Sequence, residues 1–373
     1  MKIRAICLGV LAALLLAGTV VNAQAPQETG IISATVEFVR SEREEVFIGQ
    51  PVFTQELELT LTSGPHRGEV VLIEHTAQQL TGLERLSPGD LVYVRTVETA
   101  TGGLTYELVT RSRWLALLAL GLVFLAIVIG VGRVRGLASL LGLAFSFLVI
   151  FALLLPRLEA GRDPFWAALG ASALTMPVSY LLSHGPNAKT LVALVGSLIG
   201  MAVTGLLALG SVSLVQLTGY AAEETGFLQV AGGGEWNIRS LLLAGMMIGV
   251  LGVLDDITIA QAGTALQIQR ANSTLTWSEV YTRTMQVGQD HIASMVNTLA
   301  LVYAGASLPL LILLREAAAP LGYLLSQEII AEEAVRMLVT SCGLIAAVPV
   351  TTALAAAVFT WRQAQPEEPA IDA

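Results

Sequence analysis

The chain has 373 residues, 54% hydrophobic and 13% charged, with a mean hydropathy of +0.70. These values exclude an ordinary soluble domain and fit a polytopic membrane protein. The net charge of -9 comes without a Lys/Arg block that would track phosphates, which excludes nucleic acid as a partner. Cys7 and Cys342 lie in separate apolar runs and imply no disulfide framework.

Residues 1–25 have the form of a signal peptide or signal anchor: Lys2 and Arg4, an uncharged run from Ile6 to Val21, then small residues to Ala25. The positive start stays inside and the segment after it is exported. Residues 30–110 then alternate with period two, as in Glu56-Leu-Glu-Leu-Thr-Leu61 and Leu91-Val-Tyr-Val-Arg-Thr-Val97. Turn clusters at Ser63–Gly68 and Ser87–Asp90 punctuate them. About five short strands predict a small barrel-like β domain, OB-like or SH3-like. It carries no basic groove with interleaved aromatics, so its expected role is structural or as a dock for an extracytoplasmic protein partner. His66 and His75 read as surface histidines rather than metal ligands.

From Trp114 the chain enters the lipid bilayer, and residues 114–361 form the transmembrane helical domain. The uncharged runs are 114–132, 136–155, 164–183, 190–219, 240–254 continuing past two aspartates, 292–314 and 337–361. They predict seven membrane helices, the fifth only if the aspartates are included. Arg133-Val-Arg135 is short enough to require an antiparallel hairpin. With the barrel outside, Arg133, Arg135, Lys189, Arg270, Arg283 and Arg362 fall inside. Arg157, Arg162, Arg239, Arg315 and Arg336 fall outside, so orientation rests mainly on the signal-like start. Residues 270–290 are then a cytosolic amphipathic connector, and 362–373 a cytosolic tail. The sequence around His184, Thr190 and Gly219-Tyr220 recurs in order around His291, Thr298 and Gly322-Tyr323, either as a parallel internal repeat or by chance.

The candidate site starts from Asp255 and Asp256, adjacent carboxylates near the end of an apolar segment. Ionised groups at membrane depth cost several kcal/mol and so line a cavity, meet a partner or carry a function. The bland alternative is that both reach water at a helix end. Counting about 1.5 Å per residue, they lie roughly 25 Å from Arg239, and Thr351 and Thr352 roughly 23 Å from Arg336. Asp290 and His291 open a helix from the same inner side, which predicts convergence on one polar pocket. Asp255, Asp256, Asp290 and His291 there suit either a hard divalent cation, with Thr351 and Thr352 or water completing its shell, or a proton relay. Asn297 and Thr298 line that path or bond between helices. Pro177, Pro309 and Pro349 mark kinks or broken helices.

Three stretches together resemble the YibE/F family of bacterial multi-pass membrane proteins: Gly252-Val-Leu-Asp-Asp-Ile-Thr-Ile-Ala-Gln261, Asp290-His-Ile-Ala-Ser-Met-Val-Asn-Thr298 with Ser307-Leu-Pro309, and Val348-Pro-Val-Thr-Thr352. The resemblance covers nearly all the helical part and implies a bacterial cytoplasmic membrane protein with an exported amino-terminal domain. Gln289 stands where the family pattern has Arg, which removes a basic partner for the Asp-His pair. The resemblance fixes class better than function. A transporter or permease for a cation, or one coupled to protons, is the leading expectation, and a membrane scaffold presenting the β domain the second. An enzyme is not expected: no His-Glu-x-x-His motif occurs, and an Asp256/Asp290 dyad would lack the flanking motifs of membrane proteases.

Overall fold

The computed structural model describes residues 30–364, apart from 48–49, 79–84, 99–103, 232–233, 235 and 317–318. The signal-like segment and the end of the tail lie outside the described residues. The chain divides into two compact units between Val131 and Gly132.

In the first unit, period-two sequences form β1 (Ile31–Phe47), β2 (Gln50–Leu61), β3 (Val70–Gln78), β4 (Leu91–Glu98) and β5 (Leu104–Arg111). They make one antiparallel half-barrel sheet in the order β3-β2-β1-β4-β5. Its edge strands β3 and β5 approach each other, with no hydrogen-bonded ladder closing a barrel among the described residues. Alternation buries Ala34, Val36, Leu57, Leu59, Leu61, Ile73, Val92 and Val94 on one face. Register shifts in β1 after Val36 and Val39 break this alternation and turn Phe38 outward, 63% exposed. Gln55, on the buried face, donates to the Leu86 carbonyl at 3.0 Å and accepts from its amide at 2.8 Å, pinning the loop before β4. His66 sits at the surface beside Glu69, as the sequence implied. His75 does not: its place on β3 puts it on the inner face, 4% exposed.

The helices are α1 (Trp114–Val149), α2 (Leu155–Glu159), α3 (Pro164–His184), α4 (Ala188–Leu214), α5 (Glu223–Ala231), α6 (Ile238–Ala271), α7 (Trp277–Ala306), α8 (Leu308–Glu316), α9 (Leu321–Leu325) and α10 (Glu328–Ala364). Capping residues start four of the long ones. Asp163, Asn187 and Asn237 accept from Trp166, Thr190 and Ser240 amides, and Thr276 forms a capping box with Glu279. Within α1 the backbone leaves the helix at Arg133, with φ 51°. Between α1 and α2 the residues Ile150–Leu154 form a π-helical turn. Pro156 accounts for it, because proline cannot donate to the Ala152 carbonyl that an α-helix would use.

Among the described residues five helices are long and apolar enough to cross a membrane, or six if α7 and α8, bent by 70° at Ser307, count as one span. Pro309 comes just after that break, whereas Pro177 and Pro349 lie inside continuous helices. Residues 270–290 are not a separate surface connector. Helix α6 runs on to Ala271, and Trp277 already begins α7, where its indole donates to the Ala353 carbonyl at 3.2 Å.

Small residues set the core of the second unit. Gly196, Gly200 and Thr204 of α4 meet Thr351, Ala347 and Gly343 of α10, so numbers fall on one helix as they rise on the other. The two are therefore antiparallel and closely packed, the small-residue packing expected where lipid gives no hydrophobic drive to associate. Helix α6 completes the centre, with Leu254 against Gly200 and Met247 against Gly205. Ser240 meets Asp163, and Thr258 meets Tyr180, so α3 and α6 run in the same direction.

Candidate functional site

Asp255 lies at the middle of α6, not near its end, because the helix continues to Ala271 through residues such as Gln261 that the hydropathy pattern left outside the span. Asp255 lines a cavity of about 360 Å³ between the later part of α1, α3 and α6. Ser139, Ser146, Thr175, Ser179 and Tyr180 share the lining with Leu143, Phe147, Met176 and Ile248. A close approach of α1 and α3 shapes one wall: a Cβ on Gly142 would lie 3.2 Å from Ser179 Oγ. The Asp255 Oδ1 atom is buried with no hydrogen-bond partner among the described residues. A buried carboxylate oxygen left in that state is costly unless something enters to meet it.

Behind Asp255 three helices meet in a hydroxyl cluster. Tyr180 Oη of α3 lies 2.5 Å from Ser197 Oγ of α4 and 2.7 Å from Thr258 Oγ1 of α6. Ser197 and Thr258 are 2.7 Å apart, and Thr258 donates to the Leu254 carbonyl at 2.8 Å. The Tyr180 hydroxyl also faces the Asp255 carboxylate. Three hydroxyl protons thus serve four close approaches, so the protons have more than one arrangement in the same heavy-atom frame. Tyr180, Ser197 and Thr258 were missed as site residues in the sequence, where each reads as an isolated polar residue in an apolar run. The one signal was the spacing of Thr258, three residues after Asp255 and so on the same side of the helix.

The other expected residues go elsewhere. Asp256, one position round the helix, is exposed and has His184, at the end of α3, in its electrostatic surroundings. Asp290, His291, Asn297 and Thr298 are exposed on α7. Thr351 and Thr352 are fully buried in packing: Thr351 against Gly196, and Thr352 donating to the Val348 carbonyl at 2.7 Å with Gln261 Oε1 at 3.3 Å. Among the described residues no three His, Cys, Asp or Glu side chains form a group that could hold a metal ion. The four-residue ion site expected from depth is therefore corrected to a single carboxylate with hydroxyls.

Azimuth is the reason. Helix α7 crosses α6 at Gly288, which abuts Gln261 and Val348. Gln261 and Asp255 are six positions apart, roughly 120° around the helix at 3.6 residues per turn. Asp255 therefore faces α3 while α7 packs on another side.

The family described as YibE/F-like protein matches residues 120–361, about two thirds of the chain. No curated protein and no solved structure matches.

Proposed function

The chain belongs to the YibE/F-like family, and from that premise we propose that it is a membrane transporter passing protons or a small cation through the cavity at Asp255. The carrying observation is that Asp255 lines this cavity while its buried Oδ1 has no hydrogen-bond partner among the described residues. A charge-bearing group at that depth beside a cavity is an arrangement that ion pathways use. One carboxylate with neutral hydroxyls fits a proton or a monovalent cation better than a divalent one, which draws on more oxygen ligands and usually several carboxylates. The Tyr180–Ser197–Thr258 cluster supports the proton version, since its protons can redistribute without moving a helix.

The rest of the reading is topological. Residues 114–159, counted as one stretch of 46, would be roughly 69 Å long as straight helix against about 30 Å of hydrocarbon. Division at the Arg133 break gives two spans, and with α3, α4, α6, the bent α7–α8 pair and α10 the total is seven. The signal-like start supports an extracytoplasmic β domain on a protein of the bacterial cytoplasmic membrane.

The test is transport in vesicles reconstituted with the full chain, read by an internal pH dye and by uptake of sodium, potassium, magnesium and manganese. Asp255→Asn abolishes flux while Asp256→Asn, off the cavity, retains most of it. Wild-type flux in Asp255→Asn refutes the proposal and favours a scaffold presenting the β domain.

A further inference from the structure

The Asp255 cavity is built from one stripe of each of three helices. Its lining positions recur three or four residues apart, as in Ser139, Leu143, Ser146 and Ile150 of α1 and Ile248, Leu251 and Asp255 of α6. Helix direction decides which of them share an end. Helices α3 and α6 run the same way, with Tyr180 against Thr258. The later part of α1 returns through the turn at 160–163 into α3 and so runs opposite to it, with Gly142 beside Ser179. Ser139, Ser179, Tyr180 and Asp255 therefore lie toward one end of the cavity. Phe147, Ile150, Ile248 and Leu251 lie toward the other, and Ile248 is about 10 Å along α6 from Asp255.

The hydroxyls follow the same division. Between the two ends, Ser146 Oγ donates to the Gly142 carbonyl at 2.9 Å and Thr175 Oγ1 to the Ala171 carbonyl at 2.8 Å, each within its own helix. Neither keeps a proton for an occupant. Ser139 and Ser179, at the Asp255 end, make no hydrogen bond among the described residues. Polar capacity thus gathers at that end, where Asp255 is the one charged residue of the lining.

We infer that the cavity binds a small amphipathic organic ammonium ion, its nitrogen at Asp255 and its hydrocarbon end against Phe147, Ile150, Ile248 and Leu251. The inference rests on the reading of the Asp255 cavity as a cation site, and names the cation. Size and layout both favour this class over a bare inorganic ion. The volume of about 360 Å³ equals the share of about a dozen waters, and it falls in the range of roughly 300–1,000 Å³ of small-molecule sites with apolar walls and few polar groups. Oxygens around one inorganic ion lie within about 5 Å of each other, whereas Ser139 and Ser146 stand about 10 Å apart along α1. A hydrated ion would leave the apolar end wet. An ammonium ion brings a positive charge and N–H donors to the carboxylate end, and its carbon chain takes the other end out of water. A neutral molecule supplies no charge for the carboxylate, and an anion is repelled by it.

The test is binding of tritiated hexylammonium to the full chain in lipid nanodiscs, read by scintillation proximity so that only protein-bound probe is counted. Binding saturates, and among competitors from propylammonium to hexylammonium affinity rises about fourfold per methylene. Hexanol and sodium in large excess do not displace the probe. Asp255→Asn weakens binding roughly thirtyfold or more, and Asp256→Asn leaves it unchanged. Phe147→Ala, at a half-exposed position, weakens hexylammonium and not propylammonium. Hexylammonium binding that does not saturate, displacement by sodium as effective as by hexylammonium, or wild-type affinity in Asp255→Asn overturns the inference. Equal loss of both amines in Phe147→Ala overturns it as well. The vesicle assay separates it from transport: Asp255-dependent proton flux without hexylammonium binding overturns this inference alone, and hexylammonium binding without any flux overturns the transport reading alone.

Discussion

The seam between α4 and α10 gives the sharpest test of the packing, at Gly196. A Cβ there would overlap Thr351 Oγ1 and lie 3.0 Å from Thr351 Cβ and 3.2 Å from its Cγ2. Neither helix can back away locally, because Gly200 stands against Ala347 Cβ and Leu254 Cδ2, and Gly343 against Thr204 Cβ, each at 2.9 Å from an added Cβ. Overpacking of this kind costs about 1–3 kcal/mol, and replacing a helical glycine by alanine returns up to about 1 kcal/mol. Gly196→Ala therefore destabilises by roughly 1–2 kcal/mol net. Thr351→Ala behaves differently. Its buried hydroxyl has no partner among the described residues, so truncation forfeits no hydrogen bond and relieves an unpaired polar atom, which offsets the packing of the methyl it removes, for a net change within about 1 kcal/mol. With Oγ1 and Cγ2 gone and only the 3.0 Å approach to Cβ left, Gly196→Ala costs less, a coupling of about 1 kcal/mol. Reversible unfolding of the full chain in mixed micelles, titrated with sodium dodecyl sulfate, measures all four corners of the cycle. Additive single effects would refute the Gly196–Thr351 contact and the antiparallel register built on it.

Tyr180→Phe removes the hydroxyl that touches Ser197 and Thr258; stability falls by about 1 kcal/mol, but vesicle proton flux falls far more than the folded fraction does, and flux like wild type would exclude the cluster from the path. Gln55→Ala removes both hydrogen bonds to Leu86 at a cost of about 1–3 kcal/mol. Hydrogen exchange on the full chain then shows reduced protection at the Leu86 amide and not at α6. Ser278→Cys, in a background without Cys7 and Cys342, reacts with an impermeant thiol reagent in inside-out vesicles and not in intact cells. The reverse pattern would invert the topology.

Much of this architecture is written locally. Period-two alternation around Leu57-Glu-Leu-Thr-Leu61 needs only a sheet with one wet face, and the strands obey it. Helix starts are equally local, since Asp163, Asn187, Asn237 and Thr276 each satisfy an amide three residues on. Helix ends are not. Hydropathy ends the fifth run near the two aspartates and opens the sixth at Ile292, yet Gln261 and Gln269 are buried in α6, and Thr284 in α7, against neighbouring helices. Polar residues buried by tertiary packing look in the sequence like the edge of the membrane. The closure of the β sheet was illegible for a similar reason, because it depends on how far β3 and β5 curl toward each other and not on either strand's own pattern.

The site shows the same division more sharply. Counting residues along a helix gives a level, since rise per residue is nearly constant, but partners are chosen by azimuth, which only packing sets. Asp255 and Gln261 share α6 and differ by roughly a third of a turn; one faces a cavity with Tyr180, the other faces α7 and Thr352. The glycines decide which side is which. Gly196 and Gly200 let α10 close on α4, and that seam, with Leu254 wedged at Gly200, fixes the rotation of α6 so that Asp255 turns toward α3. A larger residue at Gly200 would press on Leu254, the neighbour of Asp255 in sequence and the carbonyl on which Thr258 anchors. The carboxylate is thus oriented by packing about 100° round its helix, at residues that carry no chemistry of their own.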